Sequence, residues 1–369
     1  VKLEGVDAFA GHLVAYERSD ALLRVRIIDM ASGADRLLEL PETVYAVGGG
    51  ANPEFETGVL RFSYTSPVTP ATVYEEEVAT GERRLLKQQP VLGGYDPSDF
   101  ECGRLWATAA DGTRVPITYV HRRGLRLDGS NPCLLYGYGS YEASIAPGFS
   151  SLRLSLLERG VVFAIAHVRG GGEMGRPWYE KGKLLRKVNT FTDFIACAEH
   201  LFAAGYTRPE RLAIRGGSAG GLLIGAVLNL RPDLCAAAVA EVPFVDCLST
   251  MLDPTLPLTI TEWEEWGNPL ANPEAYAYMR AYSPYDNVHK APYPAVLATA
   301  GLHDPRVAYW EPAKWVQRLR EASTSGRPVY LKTEMDAGHG GPSGRYDSWR
   351  DEALVYAFLL DALDVAGPA

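Results

Sequence analysis

The sequence predicts a doubly wound α/β domain with a mostly parallel sheet, preceded by a smaller all-β segment. Short strands separated by turn signals fill residues 1–88, whereas apolar strands alternate with helical patterns from about residue 100 onward. The 369 residues, 47% of them hydrophobic, are sufficient for two domains with separate cores. We therefore expect one domain over residues 1–88 and a second over residues 89–369.

The first segment contains a short internal sequence repeat with an offset of 48 residues. Residues 31–33 (Ala-Ser-Gly) precede residues 36–38 (Arg-Leu-Leu), and residues 79–81 (Ala-Thr-Gly) precede residues 84–86 (Arg-Leu-Leu). A strand, a glycine turn and a second strand at such a period are typical of propeller blades, although two unrelated hairpins could share these turn residues. A closed propeller needs about four to eight blades. We therefore expect the last two blades of an incomplete propeller, with an N-terminal part of the same protein missing.

The second segment alternates strands and helices. Strands are predicted at residues 134–136, 161–166, 212–214, 236–240, 295–299 and 329–333, and helices at residues 192–204, 219–230, 310–321 and 346–363. Continuous apolar strands such as residues 161–166 are expected where helices cover both faces of a parallel sheet.

The turn between the third of these strands and its helix carries the candidate nucleophile. Residues 216–220 read Gly-Gly-Ser-Ala-Gly, which matches the G-x-S-x-G pattern of the α/β-hydrolase fold in the strand-turn-helix context that the pattern requires. Small neighbours allow the sharp turn, and the helix N-terminus favours a developing oxyanion. Ser218 is therefore the predicted nucleophile, and the backbone N–H of Ala219 is one predicted oxyanion donor. The alternative is a glycine-rich turn with an idle serine.

The general base should follow the last strand, because the triad order in this fold is serine, acid, histidine. His339 lies in a glycine-flanked loop after residues 329–333, where the base belongs. His289 lies in a polar loop, and His303 precedes the last strand, so neither is in a suitable place.

Asp304 is the predicted acid, because it follows the strand at residues 295–299. Asp336 is the competitor, but it is too close in sequence to His339 to come from a separate strand end. In the resulting mechanism His339 accepts the proton of Ser218, and Asp304 holds the imidazole in the required tautomer.

Composition restricts the partners. The net charge of −9 and the pI of about 5.4 argue against nucleic acid and against anionic membranes. No apolar run is long enough to cross a membrane. The five cysteines lie at no metal-ligand spacing and are interpreted as reduced thiols. We expect a cytoplasmic protein that needs no metal and no cofactor.

Several longer motifs carry a family resemblance. They are residues 136–141 (Tyr-Gly-Tyr-Gly-Ser-Tyr), 167–173 (His-Val-Arg-Gly-Gly-Gly-Glu), 216–221, 262–269 (Glu-Trp-Glu-Glu-Trp-Gly-Asn-Pro), 282–288 (Tyr-Ser-Pro-Tyr-Asp-Asn-Val) and 304–307 (Asp-Pro-Arg-Val). With them the sequence resembles the prolyl oligopeptidase family, most closely its oligopeptidase B branch. The resemblance implies a propeller that caps the hydrolase domain and endopeptidase action on short peptides.

The resemblance also implies roles for individual residues. Tyr138 would complete the oxyanion hole with its phenol, and Arg306 would bind a substrate backbone carbonyl. Glu262 and Glu264 would receive the Arg or Lys side chain before the cleaved bond; composition alone would place them in a solvated loop.

Alternation would point both glutamates to one side, as a fork for a guanidinium, if their segment is extended. Where some relatives carry acidic residues that favour a second basic residue, this chain has Ala146 and Gly148, which argues against a strong dibasic preference. The predicted function is a serine endopeptidase that cleaves short basic peptides after Arg or Lys. The alternatives are cleavage after proline, an esterase or acyl-aminoacyl hydrolase on the same fold, and an inactive chain whose propeller part binds a partner.

Overall fold

The computed structural model describes residues 1–365, so the predicted domain end at residue 369 lies outside the described residues. The strands are β1 Lys2–Ala8, β2 His12–Ser19, β3 Leu22–Asp29, β4 Asp35–Leu37, β5 Ala46–Gly49, β6 Val59–Thr65, β7 Thr72–Glu77, β8 Arg83–Gln88, β9 Phe100–Thr108, β10 Arg114–Arg122, β11 Cys133–Gly137, β12 Val162–Ala166, β13 Leu212–Gly217, β14 Ala237–Glu241, β15 Ala295–Gly301 and β16 Val329–Glu334. The helices are α1 Leu154–Leu157, α2 Arg176–Glu180, α3 Val188–Ala203, α4 Ala219–Leu230, α5 Cys247–Met251, α6 Thr259–Trp266, α7 Pro273–Tyr282, α8 Trp310–Ala322 and α9 Arg345–Ala362.

The first eight strands form two antiparallel sheets of four strands each, in the orders β1-β2-β3-β4 and β5-β6-β7-β8. The sequence repeat with the 48-residue offset lies at the same hairpin of both sheets, between the third and fourth strands. Gly33 and Gly81 have φ angles of 71° and 74°, which glycine adopts without steric cost. Their N–H groups donate to the carbonyls of Asp29 and Glu77 at 2.9 and 2.8 Å. The repeated residues therefore build the same turn in two successive sheets, as propeller blades require.

The remaining strands form one eight-stranded sheet in the order β16-β15-β14-β13-β11-β12-β10-β9. Strands β11 to β16 run parallel, as predicted. The sequence interpretation was wrong at residues 100–122, where β9 and β10 form an antiparallel hairpin at one edge instead of strand-helix alternation. The turn signal was present, because Asp111-Gly112 is a hairpin dipeptide, and Gly112 has a φ of 82°.

Both faces of this sheet are covered. Successive residues of one strand point to opposite faces, so Leu135 packs into the core that includes α3, α4 and α8. Leu134 packs instead into a second core with α1 and α9. This two-sided burial explains why the central strands are apolar without alternation.

The largest departure from the sequence interpretation lies between β14 and β15. Three helices, α5 to α7, occupy this stretch, and they were not predicted. Helix α3 also begins at Val188, four residues before its predicted start. None of the helices within residues 1–365 combines the length and apolar character that a membrane crossing needs.

Candidate active site

Ser218 lies at the turn between β13 and α4 and has a strained backbone. Its φ and ψ angles are 56° and −118°, a conformation that costs a non-glycine residue of order 1–3 kcal/mol and that occurs mainly at functional sites. The turn is held by its backbone, because the Ser218 N–H donates to the carbonyl of Glu241 at 2.8 Å. The sharp turn therefore places the serine side chain at the carboxyl edge of the parallel sheet.

The glycines around Ser218 are required by close backbone approach. A Cβ on Gly216 would lie 2.4 Å from the carbonyl oxygen of Gly220, and a Cβ on Gly221 would lie 2.4 Å from a side-chain carbon of Pro243. Both distances are far inside van der Waals contact. The small residues of the motif therefore permit the tight packing of the turn against its neighbours.

Asp304 and His339 form a direct pair. The Nδ1 atom of His339 lies 2.6 Å from Oδ2 of Asp304, and the other carboxylate oxygen accepts the backbone N–H groups of Arg306 and Val307 at 2.8 and 3.0 Å. Burial raises the pKa of Asp304, but the bonds from His339 and the two backbone groups outweigh it, so the pKa lies below its ordinary value. The Asp304 side chain is therefore buried, ionised and aligned with the histidine.

The competing residues lie elsewhere. Asp336 is exposed at the turn after β16, and His303 is exposed. His289 contacts the carbonyl of Asn287 through its Nδ1 at 3.2 Å. The structure thus brings Asp304, and not Asp336, to His339.

Among the hydrogen bonds of residues 1–365, none joins Ser218 to His339. Ser218 borders one cavity, and His339 borders a separate pocket of about 220 Å³. Among the described residues His339 is therefore oriented by Asp304.

The cavity that Ser218 borders has a volume of about 670 Å³ and is lined by most of the predicted site residues. Its wall includes Tyr138, Ser218, Ala219, Glu262, Asp304 and Arg306. Phe244, Met251 and Trp266 supply apolar surface. A cavity of this size with a few convergent polar groups is typical of a binding site for a small ligand or a peptide segment. Within residues 1–365 no cluster of three or more His, Cys, Asp or Glu side chains could hold a metal ion.

Tyr138 contributes a phenol to the cavity wall. Burial, reinforced by the nearby Tyr136, Glu265 and Glu262, raises the pKa of Tyr138 to about 12. The phenol is therefore neutral at physiological pH and can donate a hydrogen bond to a developing negative charge.

The expected fork of Glu262 and Glu264 does not form, because the segment is helix α6 and not an extended strand. Residues two apart in a helix point about 200° apart around its axis. Glu262 borders the cavity, and its Oε2 accepts the Tyr141 phenol at 2.6 Å and the Trp266 indole N–H at 2.9 Å. Glu264 is exposed and does not contribute to the cavity wall. One carboxylate of the predicted pair therefore faces the site.

Sequence reasoning missed two neighbours of this carboxylate. Tyr141 has a φ of 59° and donates its phenol to Glu262. Glu265 is 3% exposed, accepts the phenol of Tyr179 at 2.6 Å and accepts the N–H of Tyr141 at 3.2 Å. A helical interpretation would have found Glu265, because residues three apart share one face of a helix.

A parallel sheet whose strand-to-helix turn carries a strained serine, with a histidine-aspartate pair from the later loops, defines the α/β-hydrolase class. Comparison with known proteins is more specific. The sequence model of the prolyl oligopeptidase family matches residues 147–366. The model of the prolyl oligopeptidase N-terminal β-propeller domain matches residues 1–89. The chain belongs to the prolyl oligopeptidase family, which confirms the resemblance and the predicted fold class.

Individual relatives agree with this assignment. The chain is 52% identical over 367 residues to "Dipeptidyl aminopeptidase BI" of Pseudoxanthomonas mexicana, covering 99% of this chain and 50% of the relative. It is 46% identical to "Protease 2" of Moraxella lacunata, covering 98% and 52%. The structure of oligopeptidase B from Trypanosoma brucei with covalently bound antipain superposes with a TM-score of 0.92 at 47% identity, covering 100% and 53%. The chain therefore spans about half the length of the relatives that it matches.

Proposed function

We propose that this chain is the catalytic part of a serine oligopeptidase that cleaves short peptides after Arg or Lys through an acyl-enzyme. The observation that carries this proposal is one cavity bordered by the strained Ser218, by Asp304, which is bonded to His339, and by the carboxylate of Glu262. The membership of the family supports the peptidase chemistry.

In the proposed mechanism His339 removes the proton of Ser218 as the serine oxygen attacks the scissile carbonyl. Asp304 keeps the Nδ1 proton of His339 in place, so that Nε2 is free to accept. The oxyanion receives the N–H of Ala219, at the start of α4, and the phenol O–H of Tyr138. His339 then returns its proton to the leaving amine, and water hydrolyses the acyl-enzyme by the same steps in reverse.

Arg306 is proposed to hold the substrate backbone. It is an exposed residue that borders the cavity, and its own N–H is fixed to Asp304. The guanidinium carries several N–H donors, and one or two of them can donate to the single oxygen of a substrate carbonyl. Because Arg306 is two residues from the acid, substrate binding and triad alignment share one loop.

The basic preference is assigned to Glu262. Its Oε2 accepts bonds from Tyr141 and Trp266, and no hydrogen bond within residues 1–365 reaches Oε1, which can therefore accept from a substrate ammonium or guanidinium. The apolar wall, with Phe244 and Trp266, can cover the methylenes of a Lys or Arg stem. A carboxylate at this position opposes proline, for which a wholly apolar pocket is better suited.

The likeness to "Dipeptidyl aminopeptidase BI" favours one second candidate, which is removal of dipeptides from free amino termini. An endopeptidase accepts a blocked amino terminus, whereas a dipeptidyl aminopeptidase requires the free ammonium group. The two candidates can therefore be separated with matched pairs of substrates.

The test uses fluorogenic substrates with Arg, Lys, Pro or Ala before the cleaved bond, each with a blocked or a free dipeptide amino terminus, and a simple neutral ester. Ser218→Ala is the control. We expect Ser218-dependent cleavage, with blocked Arg and Lys substrates preferred over Pro and Ala. Preference for Pro, or turnover of the ester alone, would reject the proposed specificity. Cleavage restricted to free dipeptides would favour the second candidate.

A further inference from the structure

Lys187 is a fully buried lysine close to the proposed site but outside the cavity wall. Its side chain is 0% exposed, and its Nζ donates to the Gly139 carbonyl and to the Ser140 hydroxyl, both at 2.6 Å. Burial lowers the pKa of Lys187 to about 8, and the nearby Glu265 opposes this shift. Lysine is rarely buried without strong partners, because its ammonium loses hydration. The two bonds therefore stabilise the ammonium and fix the backbone at Gly139 and Ser140.

That segment is the turn 138–141. Gly139 and Ser140 lie between Tyr138, the proposed oxyanion donor, and Tyr141, the phenol that donates to Glu262. Gly139 has a φ of 77°, and a Cβ on it would lie 2.4 Å from a side-chain carbon of Thr190 on α3. The turn is thus packed tightly onto the start of α3, and Lys187 binds both residues that separate the two cavity tyrosines.

Lys187 also lies against Trp266, a residue of the cavity wall. Its Nζ lies 5.0 Å from the centre of the Trp266 ring, within the range of a cation–π interaction. The indole N–H of Trp266 donates to Glu262. One buried cation therefore contacts both the turn that carries Tyr138 and the helix that carries the specificity carboxylate.

We propose that Lys187 is a positioning residue that fixes the Tyr138 phenol for oxyanion stabilisation, acting through Gly139 and Ser140. It does not contact the substrate. The inference rests on the proposed function, in which Tyr138 is the second oxyanion donor. A displacement of about 1 Å in a catalytic group can cost about 100-fold in rate, so the loss of two bonds to the residues that follow Tyr138 is sufficient for a measurable effect.

The test compares Lys187→Met, Lys187→Arg and Tyr138→Phe in the complete protein, with a neutral ester and an Arg substrate. Lys187→Met should lower kcat by about 10- to 100-fold on both substrates, with KM unchanged within about twofold on the ester. Lys187→Arg, which keeps a cationic donor, should recover part of the loss. In the Tyr138→Phe background the Lys187→Met change should have little further effect, because the donor that it positions is already absent.

Lys183→Met is the matched control. Lys183 lies four residues before Lys187 in the sequence. It donates to the Tyr179 phenol at 3.0 Å, and no hydrogen bond of residues 1–365 joins it to the turn 138–141. Its replacement should leave kcat within about twofold. If Lys187→Met does not fold, Ser140→Ala decides the question, because it removes one of the two acceptors and should still lower kcat several-fold.

The outcomes distinguish a failure of the oxyanion role of Tyr138 from a failure of the positioning role of Lys187. If Tyr138→Phe has no effect, the oxyanion assignment fails and the inference fails with it. If Tyr138→Phe lowers kcat but Lys187→Met or Ser140→Ala does not, the proposed function stands and the role of Lys187 is rejected. Losses that multiply fully in the double variant would likewise reject positioning through Tyr138.

Discussion

Replacing Glu262 by glutamine should remove the proposed preference for Arg and Lys substrates while leaving hydrolysis of a neutral ester intact. Glu262 presents one carboxylate oxygen to Tyr141 and Trp266, at 2.6 and 2.9 Å, and in the proposed function the other oxygen accepts from the substrate cation. One hydrogen bond to a charged group is worth about 1.5–3 kcal/mol. The value of kcat/KM for Arg and Lys substrates should therefore fall by roughly 10- to 150-fold.

Glu264→Gln is the matched control, because Glu264 is exposed on the same helix. Its kcat/KM values should stay within about twofold of the parent. The assay measures kcat/KM of both variants on blocked Arg and Lys amides and on a small neutral ester, whose turnover should survive Glu262→Gln. Equal losses on basic and neutral substrates would assign Glu262 to the fold. A loss in Glu264→Gln as large as that in Glu262→Gln would refute the assignment of one carboxylate to the cavity.

Three further predictions follow from the site. Asp304→Asn should lower kcat by about 10⁴, whereas Asp336→Asn should have little effect because that residue is exposed; the reverse ranking in steady-state assays would reassign the acid. Tyr138→Phe should lower kcat by about 10² to 10³ with little change in KM, and a change in KM alone would make Tyr138 a binding residue. Burial raises the pKa of Glu311, at the cavity wall, from 4.5 to about 7. The folded state therefore holds that proton more tightly, and stability falls as pH rises through this window. In urea unfolding at pH 5 and pH 8, Glu311→Gln should reduce this loss by about 1–3 kcal/mol, and an unchanged pH dependence would exclude Glu311 as its source.

The parallel part of the large sheet could be predicted because its strands are buried on both faces. The predicted helix at residues 219–230 coincides with α4, Ala219–Leu230. The predicted strand at residues 295–299 begins where β15, Ala295–Gly301, begins. Both elements have a continuous apolar sequence and are buried in the structure. The local sequence pattern and the tertiary environment therefore favour the same secondary structure.

The sequence interpretation was wrong at residues 262–266, where the period of a strand and the period of a helix both fit the pattern. In residues 262–264 acidic and aromatic side chains alternate, which suits an extended segment, yet Glu262, Glu265 and Trp266 also share one helical face. Tertiary contacts decide between these patterns, because Glu265 is buried against Tyr179, far away in sequence. The buried bond from Lys187 to the turn 138–141 depends likewise on contacts that local sequence does not encode.

The central claim is that Ser218 is the nucleophile of a hydrolytic site, and covalent labelling tests it most directly. The complete protein is treated with a fluorophosphonate, and the modified residue is located by peptide mass spectrometry, with Ser218→Ala in parallel. The account predicts one label on Ser218, loss of peptide and ester turnover in proportion to labelling, and neither labelling nor turnover in Ser218→Ala. A label on another residue, or a folded Ser218→Ala variant that keeps more than a few per cent of its activity, would contradict it.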